Sequence, residues 1–387
     1  MRKFDIPYAR QDINQDDIDS VVTVLKSNWI TQGPAVPDFE SLVASVVGAK
    51  YAVAVNSATS ALHIACLALG VNKDDVVWTT PNTFVASANS ALYCGASVDF
   101  VDIDPDTLCM STVALQIKLE HAIQTGCTLP RVIIPVHFGG QSCDMASINM
   151  LAKKYGFYLI EDASHAVGGF YETYPVGSSF YSDITVFSFH PAKIITTGEG
   201  GMALTNNAEL ASKMNLLRSH GITRDPEKMT DGASGGPWYY QQIDLGFNYR
   251  LTDMQAALGK SQMSRLANFV EVRNKLADRY DRKFKAVNIN IQKVPLNVLS
   301  ARHLYVVRVA AEQRSEVFKG LQDLGIGANV HYIPVHLQPW YKKMGFKEGQ
   351  FPEAERYYSE AITLPLYAKL TEVEQDYVID CVQGLLK

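Results

Sequence analysis

Short apolar runs alternate with segments of helical period through the first two hundred residues, and this alternation predicts an α/β fold. Several of the runs are apolar on both faces, as strands of a mostly parallel sheet covered by helices on both sides should be. Beyond about residue 285 the pattern changes to alternating strand-like and helical stretches, which predicts a smaller α+β unit. The expected organisation is a large domain over 1–284 and a small C-terminal domain over 285–387.

Along the chain, Ile18, Val21, Val22 and Leu25 fall at helical spacing, with Asn14 placed to cap them. Phe39, Leu42, Val43 and Val46 mark a second amphipathic helix. Tyr51–Val55 reads as a strand that ends in a polar turn, and Ala58–Leu69 as the helix after it. Further strands are expected at Val76–Trp78, Ser97–Val101, Val132–Val136 and Phe157–Ile160, separated by helices near 83–93, 111–125 and 144–155. Ile184–Phe189 and Met202–Leu204 continue the sheet, and Leu210, Met214 and Leu217 share one face of the next helix. The Gly/Pro-rich stretch from Thr223 to Pro237 reads as a long loop, of a length that is functional or disordered. Helix resumes at Thr252 and runs, with a break, to about Phe284. A strand over His303–Val309, a helix to Leu324, a strand near Val330 and a last helix from about Glu372 complete the reading.

Composition narrows the function. With 35 basic and 40 acidic side chains the net charge is −5, which supplies no broad field for a nucleic acid. No apolar run approaches a membrane span, and Met1–Arg10 has no signal-peptide core. The 6 cysteines are scattered without a C-x-x-C pair, so neither a disulfide framework nor a zinc site is expected, and a reduced cytoplasmic setting fits. No metal ligand set is expected: His331 and His336 lack the spacing of a zinc-binding helix pair.

Polar chemistry concentrates at three strand ends, where ligands of open α/β sheets gather. Asn56-Ser-Ala-Thr-Ser60 opens a helix, whose free amides and dipole attract an anion; a plain capped helix explains the same residues. Glu161-Asp162-Ala-Ser-His165 closes a buried strand with two acids, which need either a salt bridge or a cationic ligand nitrogen. Ser188-Phe-His-Pro-Ala-Lys193 sets a lysine among apolar neighbours, where burial would lower its pKa and make it a nucleophile; a surface loop lysine is the alternative. An anion cradle, a carboxylate and a reactive lysine together match the needs of pyridoxal phosphate. Phe84 offers a face for its ring, or a core side chain. Two competing motifs lack their context. Gly198-Glu-Gly200-Gly-Met-Ala203 is followed by a strand rather than a helix, and Gly259-Lys260-Ser261 has Met254 where a P-loop needs glycine.

These residues, with Thr31-Gln-Gly-Pro34, Thr83-Phe-Val-Ala86, SFHPAKIITTGEGG at 188–201 and Gly246-Phe-Asn-Tyr-Arg-Leu251, resemble the DegT/DnrJ/EryC/StrS sugar-nucleotide aminotransferases over essentially the whole chain. The resemblance implies a fold type I pyridoxal-phosphate enzyme acting as a homodimer with shared sites. Some relatives carry histidine at the lysine position and act as dehydratases; Lys193 favours transamination. In the family pattern Lys193 would hold the cofactor aldehyde and move the proton, Asp162 would pair with the pyridinium, and His165 would lie near the phenolic oxygen. Ala58, Thr59 and Ser188 would bind the phosphate, joined by Asn248 of the other subunit. RSHGITRDP at 218–226, the stretch 236–259 and NVHYIPVHLQPWY at 329–341 look like one branch, which forms UDP-4-amino-4,6-dideoxy-N-acetyl-β-L-altrosamine for pseudaminic acid. That branch places Tyr8, Asn28, Thr31, Asn329, His331, Tyr332 and Tyr341 at the sugar nucleotide. Expected partners are a UDP-linked 4-keto sugar and L-glutamate as amino donor, with a TDP-linked or C3-keto sugar as the alternative. Arg218, Arg224 and Arg250 are candidates for the diphosphate by charge and position. A nicotinamide-dependent oxidoreductase would need an early Rossmann turn, and a non-catalytic relative would have lost the lysine or the acid; neither description fits.

Overall fold

The computed structural model describes residues 4–230, 236–287 and 289–386. Seven strands form the main sheet: β1 (Tyr51–Val55), β2 (Val76–Thr79), β3 (Ser97–Phe100), β4 (Val132–Ile134), β5 (Tyr158–Asp162), β6 (Ile184–Ser188) and β7 (Gly201–Thr205). Their order is β1-β7-β6-β5-β4-β2-β3. The pairs from β6 through β5, β4 and β2 to β3 are parallel, while β7 runs antiparallel to both of its neighbours. β4, β6 and β7 are buried at every position, which is why each carries apolar residues on both of its faces.

Several of the helices around this sheet start where the sequence supplies caps. Asn14 caps α1 (Gln15–Leu25) in a reciprocal box with Asp17, and Thr252 does the same with Gln255 for α8 (Asp253–Met263). Between them come α2 (Ala35–Val47), α3 (Ala58–Ala68), α4 (Ala86–Tyr93), α5 (Thr112–Thr125), α6 (Met145–Tyr155) and α7 (Ala208–Leu217). Pro34 leaves α2 without a side-chain cap of its own. The buried Asp253 replaces it, accepting from the amides of Gly33 at 2.6 Å and Val36 at 3.1 Å. The expected break in the long helix falls between α8 and α9 (Leu266–Phe284).

In the C-terminal part, β8 (Asn290–Ile291), β9 (Tyr305–Arg308) and β10 (Ala361–Leu364) make a small antiparallel sheet in the order β8-β9-β10. It is accompanied by α10 (Ala311–Asp323), α11 (Pro339–Lys343), α12 (Pro352–Glu360) and α13 (Glu372–Leu385). The strand expected near Val330 reduces to a single bridge between Asn329 and Thr363. The sheet position belongs instead to Ala361–Leu364, four buried residues straight after α12 that have no polar alternation to announce a strand. α9 ends at Phe284, and one hydrophobic cluster spans residues on both sides of that point. Leu276, Tyr280 and Phe284 of α9, with Ile6 from the N-terminal segment, pack on Val307, Leu321 and Ile362. Positions 231–235 of the expected loop lie outside the described residues. Before and after them Ile222–Thr223 pairs with Gln241–Gln242. All 6 cysteines are free, and among the described residues no helix is long and apolar enough to cross a membrane.

Candidate active site

A cavity of about 570 Å³ opens at the carboxyl ends of β5 and β6. Tyr8, Ala58, Thr59, Phe84, Asp162, His165, Ser188, Lys193, Asn329, His331 and Tyr332 of the expected residues line it. Asn28, Thr31, Asn248 and Tyr341 do not. Asn28, Thr31 and Asn248 are exposed elsewhere on the chain. Tyr341 is buried beside a second cavity near α4, with its hydroxyl donating to Asn89 Oδ1 at 2.6 Å.

The helix start at α3 is prepared locally. Ser57 takes an extended backbone and its Oγ accepts the amide of Ser60 at 3.1 Å. The first intrahelical bond runs from the Ala61 amide, so those of Ala58 and Thr59 stay outside the helix ladder. Gly201, the first residue of β7, lies against this turn. A Cβ there would come within 2.4 Å of the Ser57 carbonyl carbon and 2.5 Å of the Ala58 nitrogen, so only glycine allows the approach.

Strand alternation separates the two acids of β5. Glu161 turns away from the cavity. Its carboxylate takes His137 Nε2 at 2.7 Å, Ser182 Oγ at 2.5 Å and Thr185 Oγ1 at 3.2 Å. Burial opposes its ionisation, but these hydrogen bonds and the facing His137 prevail and hold it below the usual carboxylate range. Asp162 lines the cavity. It accepts from Ser87 Oγ at 2.6 Å and from the Ser164 amide at 3.1 Å, and Thr83 Oγ1 lies 2.8 Å from Ser87 Oγ.

Lys193 is carried by a folded loop between β6 and β7. The Phe189 amide bonds Gly200 O at 2.9 Å, and the Thr197 amide bonds Phe189 O at 3.0 Å. Ile194 and Ile195, both buried, pin the loop into the core behind it. Burial pushes the Lys193 ammonium down to about 8, against the opposing pull of Asp162. Three imidazoles surround it. His165 accepts the Gly139 amide on Nδ1 at 3.3 Å, which leaves Nε2–H to donate to the Tyr332 hydroxyl at 3.1 Å. His331 Nδ1 lies 2.9 Å from Thr363 Oγ1, and His303 Nε2 lies 3.4 Å from Lys193 Nζ. Burial, then the charge of Lys193, lowers all three imidazoles, His331 to about 3, so each is neutral at pH 7. Phe84 keeps 58% of its surface exposed at the rim, tilted against Tyr332 with ring centroids 6.2 Å apart.

A model of the "DegT/DnrJ/EryC1/StrS aminotransferase family" matches residues 11–383. The chain belongs to this family. It is 40% identical to the spore coat polysaccharide biosynthesis protein SpsC of Bacillus subtilis, over 99% of this chain and 97% of the relative. It is 39% identical to the UDP-4-amino-4,6-dideoxy-N-acetyl-beta-L-altrosamine transaminase of Campylobacter jejuni, over 99% of this chain and 98% of that one. Among solved structures it is similar to the PLP form of the putative sugar aminotransferase Spr1654 of Streptococcus pneumoniae. The TM-score is 0.89 at 31% identity, covering 99% of this chain and 98% of that chain.

The donor set fits the family's cofactor, pyridoxal phosphate. A carboxylate, a primary amine of lowered pKa and a helix start with two unused amides share one cavity. Three contributors escaped the sequence reading. Ser87 and His303 reach the site from 75 and 110 positions away from their partners, and no motif marks either. Glu199 also lines the cavity; it sits in the SFHPAKIITTGEGG segment that carries the resemblance, which gives it no role of its own. Arg218, a candidate for a diphosphate, is instead paired with Glu40 and donates to Ala54 O at 2.7 Å. Arg250 donates to Ser219 Oγ at 3.2 Å. Among the described residues no cluster could hold a metal ion.

Proposed function

We propose that this chain is a pyridoxal-phosphate aminotransferase that moves the amino group of L-glutamate to C4 of a UDP-linked 4-keto-6-deoxy-N-acetylhexosamine. The observation that carries the reading is the meeting of Lys193, Asp162 and the start of α3 in one cavity. Pyridoxal phosphate, when bound, supplies the aldehyde that carries the amine and a ring that withdraws electrons from the reacting carbon. The protein's part is to hold, orient and move protons. Asp162, fixed by Ser87 and the Ser164 amide, would keep the ring nitrogen protonated. Ala58 and Thr59 amides with Ser188 would bind the phosphate. Lys193 Nζ, whose pKa near 8 leaves both of its protonation states accessible around neutral pH, would take and return the proton at the substrate carbon. Phe84 at the rim would cover one ring face.

Sugar recognition would fall to Tyr8, Asn329, His331 and Tyr332, which share the cavity wall. Asn28, Thr31 and Asn248 are exposed and outside this cavity, which supports a homodimer in which they serve the partner's site. Trp238 and Leu245, each with 76% of their surface exposed and within ten positions of Asn248 along the chain, suit the same interface. A cytoplasmic setting would keep the 6 free cysteines reduced.

The experiment has two parts. Borohydride reduction of the yellow holoprotein should fix the cofactor on Lys193, read by peptide mass; a label elsewhere, or none, sinks the mechanism. The enzyme is then offered glutamate with UDP-linked or TDP-linked keto sugars, the latter representing the second substrate reading. An amino product formed only from the TDP sugar overturns the UDP assignment.

A further inference from the structure

His303 lies beyond every motif that marks the site, yet its ring is the group next to the Lys193 amine. It follows Arg302, whose φ is +50°, and the surrounding backbone is clamped to the main domain. Ala301 N bonds Gly140 O at 2.9 Å, and Leu304 N bonds Gly139 O at 3.2 Å. A side chain on Gly140 would strike the backbone nitrogen of His303 at 2.8 Å. From α9 the buried Arg273, with no carboxylate partner among its contacts, donates to the carbonyls of Arg302 and His303 at 3.4 Å each and of Leu366 at 2.9 Å. So much anchoring places one imidazole 3.4 Å from Lys193 Nζ.

Only 4% of His303 is exposed, and among the described residues its Nδ1 has no hydrogen-bond partner. A neutral imidazole carries its proton on one nitrogen. With the proton on Nδ1, a buried N–H would be left unpaired, which is rarer and costlier than an unpaired lone pair. With it on Nε2, that N–H points to Lys193 Nζ, which can accept only as the free amine. The other groups near the pair are Asp162 from β5, His165 from the loop after it, His331, and Arg273 from α9.

We infer that His303 is a positioning residue that donates from Nε2–H to Lys193 Nζ and so holds the lysine as a neutral, oriented amine. The inference rests on the proposed role of Lys193 as the amine that engages the cofactor aldehyde. A neutral amine is the form able to attack a carbonyl, and a hydrogen bond to its lone pair fixes where it waits while it is not joined to the cofactor aldehyde.

The test uses the apoprotein, so it separates from cofactor and substrate. Histidine 15N spectra, with the His303 signals assigned by their loss in H303Q, should show Nδ1 bare and Nε2 protonated above pH 8. The opposite tautomer overturns the inference. In parallel, acylation of Lys193 against pH is followed by peptide mass. Wild type and H303Q, whose amide N–H can replace the donor, should share a midpoint, while H303L should move it upward by about one pH unit. A midpoint unmoved or lowered in a folded H303L protein refutes the proposal, and if H303L does not fold the wild-type tautomer decides. Failure of borohydride to label Lys193 would instead strike the broader mechanism and leave these readings interpretable.

Discussion

Ser87 Oγ donates a 2.6 Å hydrogen bond to Asp162 Oδ2, joining the first turn of α4 to the last residue of β5. Both side chains are buried, so the carboxylate has few places to turn. A hydrogen bond to a charged group contributes about 1.5–3 kcal/mol, and removing it frees Asp162 to rotate away from the ring nitrogen it is proposed to hold. S87A should therefore lower kcat/KM by roughly ten- to a hundredfold while D162N lowers it by about a thousandfold or more. Steady-state kinetics on both variants, with cofactor content measured by absorbance, check the order.

The lowered pKa of Lys193 has a consequence for stability. In the folded apoprotein the ammonium releases its proton near 8, whereas its ordinary value is 10.5. Between these values the unfolded chain binds more protons, so stability from this group rises with pH across that window, and below it the full burial penalty applies. The K193M apoprotein should be the more stable of the two below pH 8, with the difference shrinking toward pH 10.5. Thermal unfolding of both apoproteins across this range decides it; a gap that widens with pH contradicts the assignment.

Gly201 is predicted to be irreplaceable on steric grounds. Because an added Cβ would meet Ser57 and Ala58 backbone atoms at 2.4–2.5 Å, G201A must push the start of α3 away from β7. Overpacking of this kind costs about 1–3 kcal/mol. Denaturant unfolding should show that loss, and titration should show weaker binding of pyridoxal phosphate.

Arg218 gives a prediction opposite to the one its charge suggests. Its partner Glu40 also accepts the Ala54 amide at 2.7 Å, so the pair ties α2 to β1. R218M should destabilise the protein by about 3 kcal/mol, the cost of leaving a largely buried carboxylate unpaired. KM for the nucleotide sugar should stay within about twofold. A large rise in KM without loss of stability would return Arg218 to the substrate.

Sharing of sites across a dimer can be read by mixing. If Asn248 serves the partner's cavity, unfolding and refolding K193A together with N248D should restore about one quarter of the sites, because one site of each mixed dimer is then intact. No recovery means that Asn248 acts within its own subunit or not at all.

Much of this protein is determined by short-range physics that a sequence displays. Ser57 caps α3 and Asn14 caps α1 because a polar side chain three residues before a helical amide can reach it. Buried strands such as Ile184–Ser188 announce themselves by apolar residues on both faces, here Ile184 and Val186 on one and Phe187 on the other. The lysine, the acid pair and the helix start could all be marked at strand ends, where a parallel sheet collects its ligands. Tertiary structure alone decided how those parts are used. Alternation along β5 sends Glu161 to His137 and Asp162 to the cavity and to Ser87, a choice set by which elements pack on each face. Glu40 takes Arg218 out of the set of free cations, and Tyr341 is drawn to Asn89 rather than to the cavity of Lys193. Ser87 and His303 reach Asp162 and Lys193 across 75 and 110 positions. Contacts at that separation follow from the packing of whole elements, which no local pattern of residues encodes.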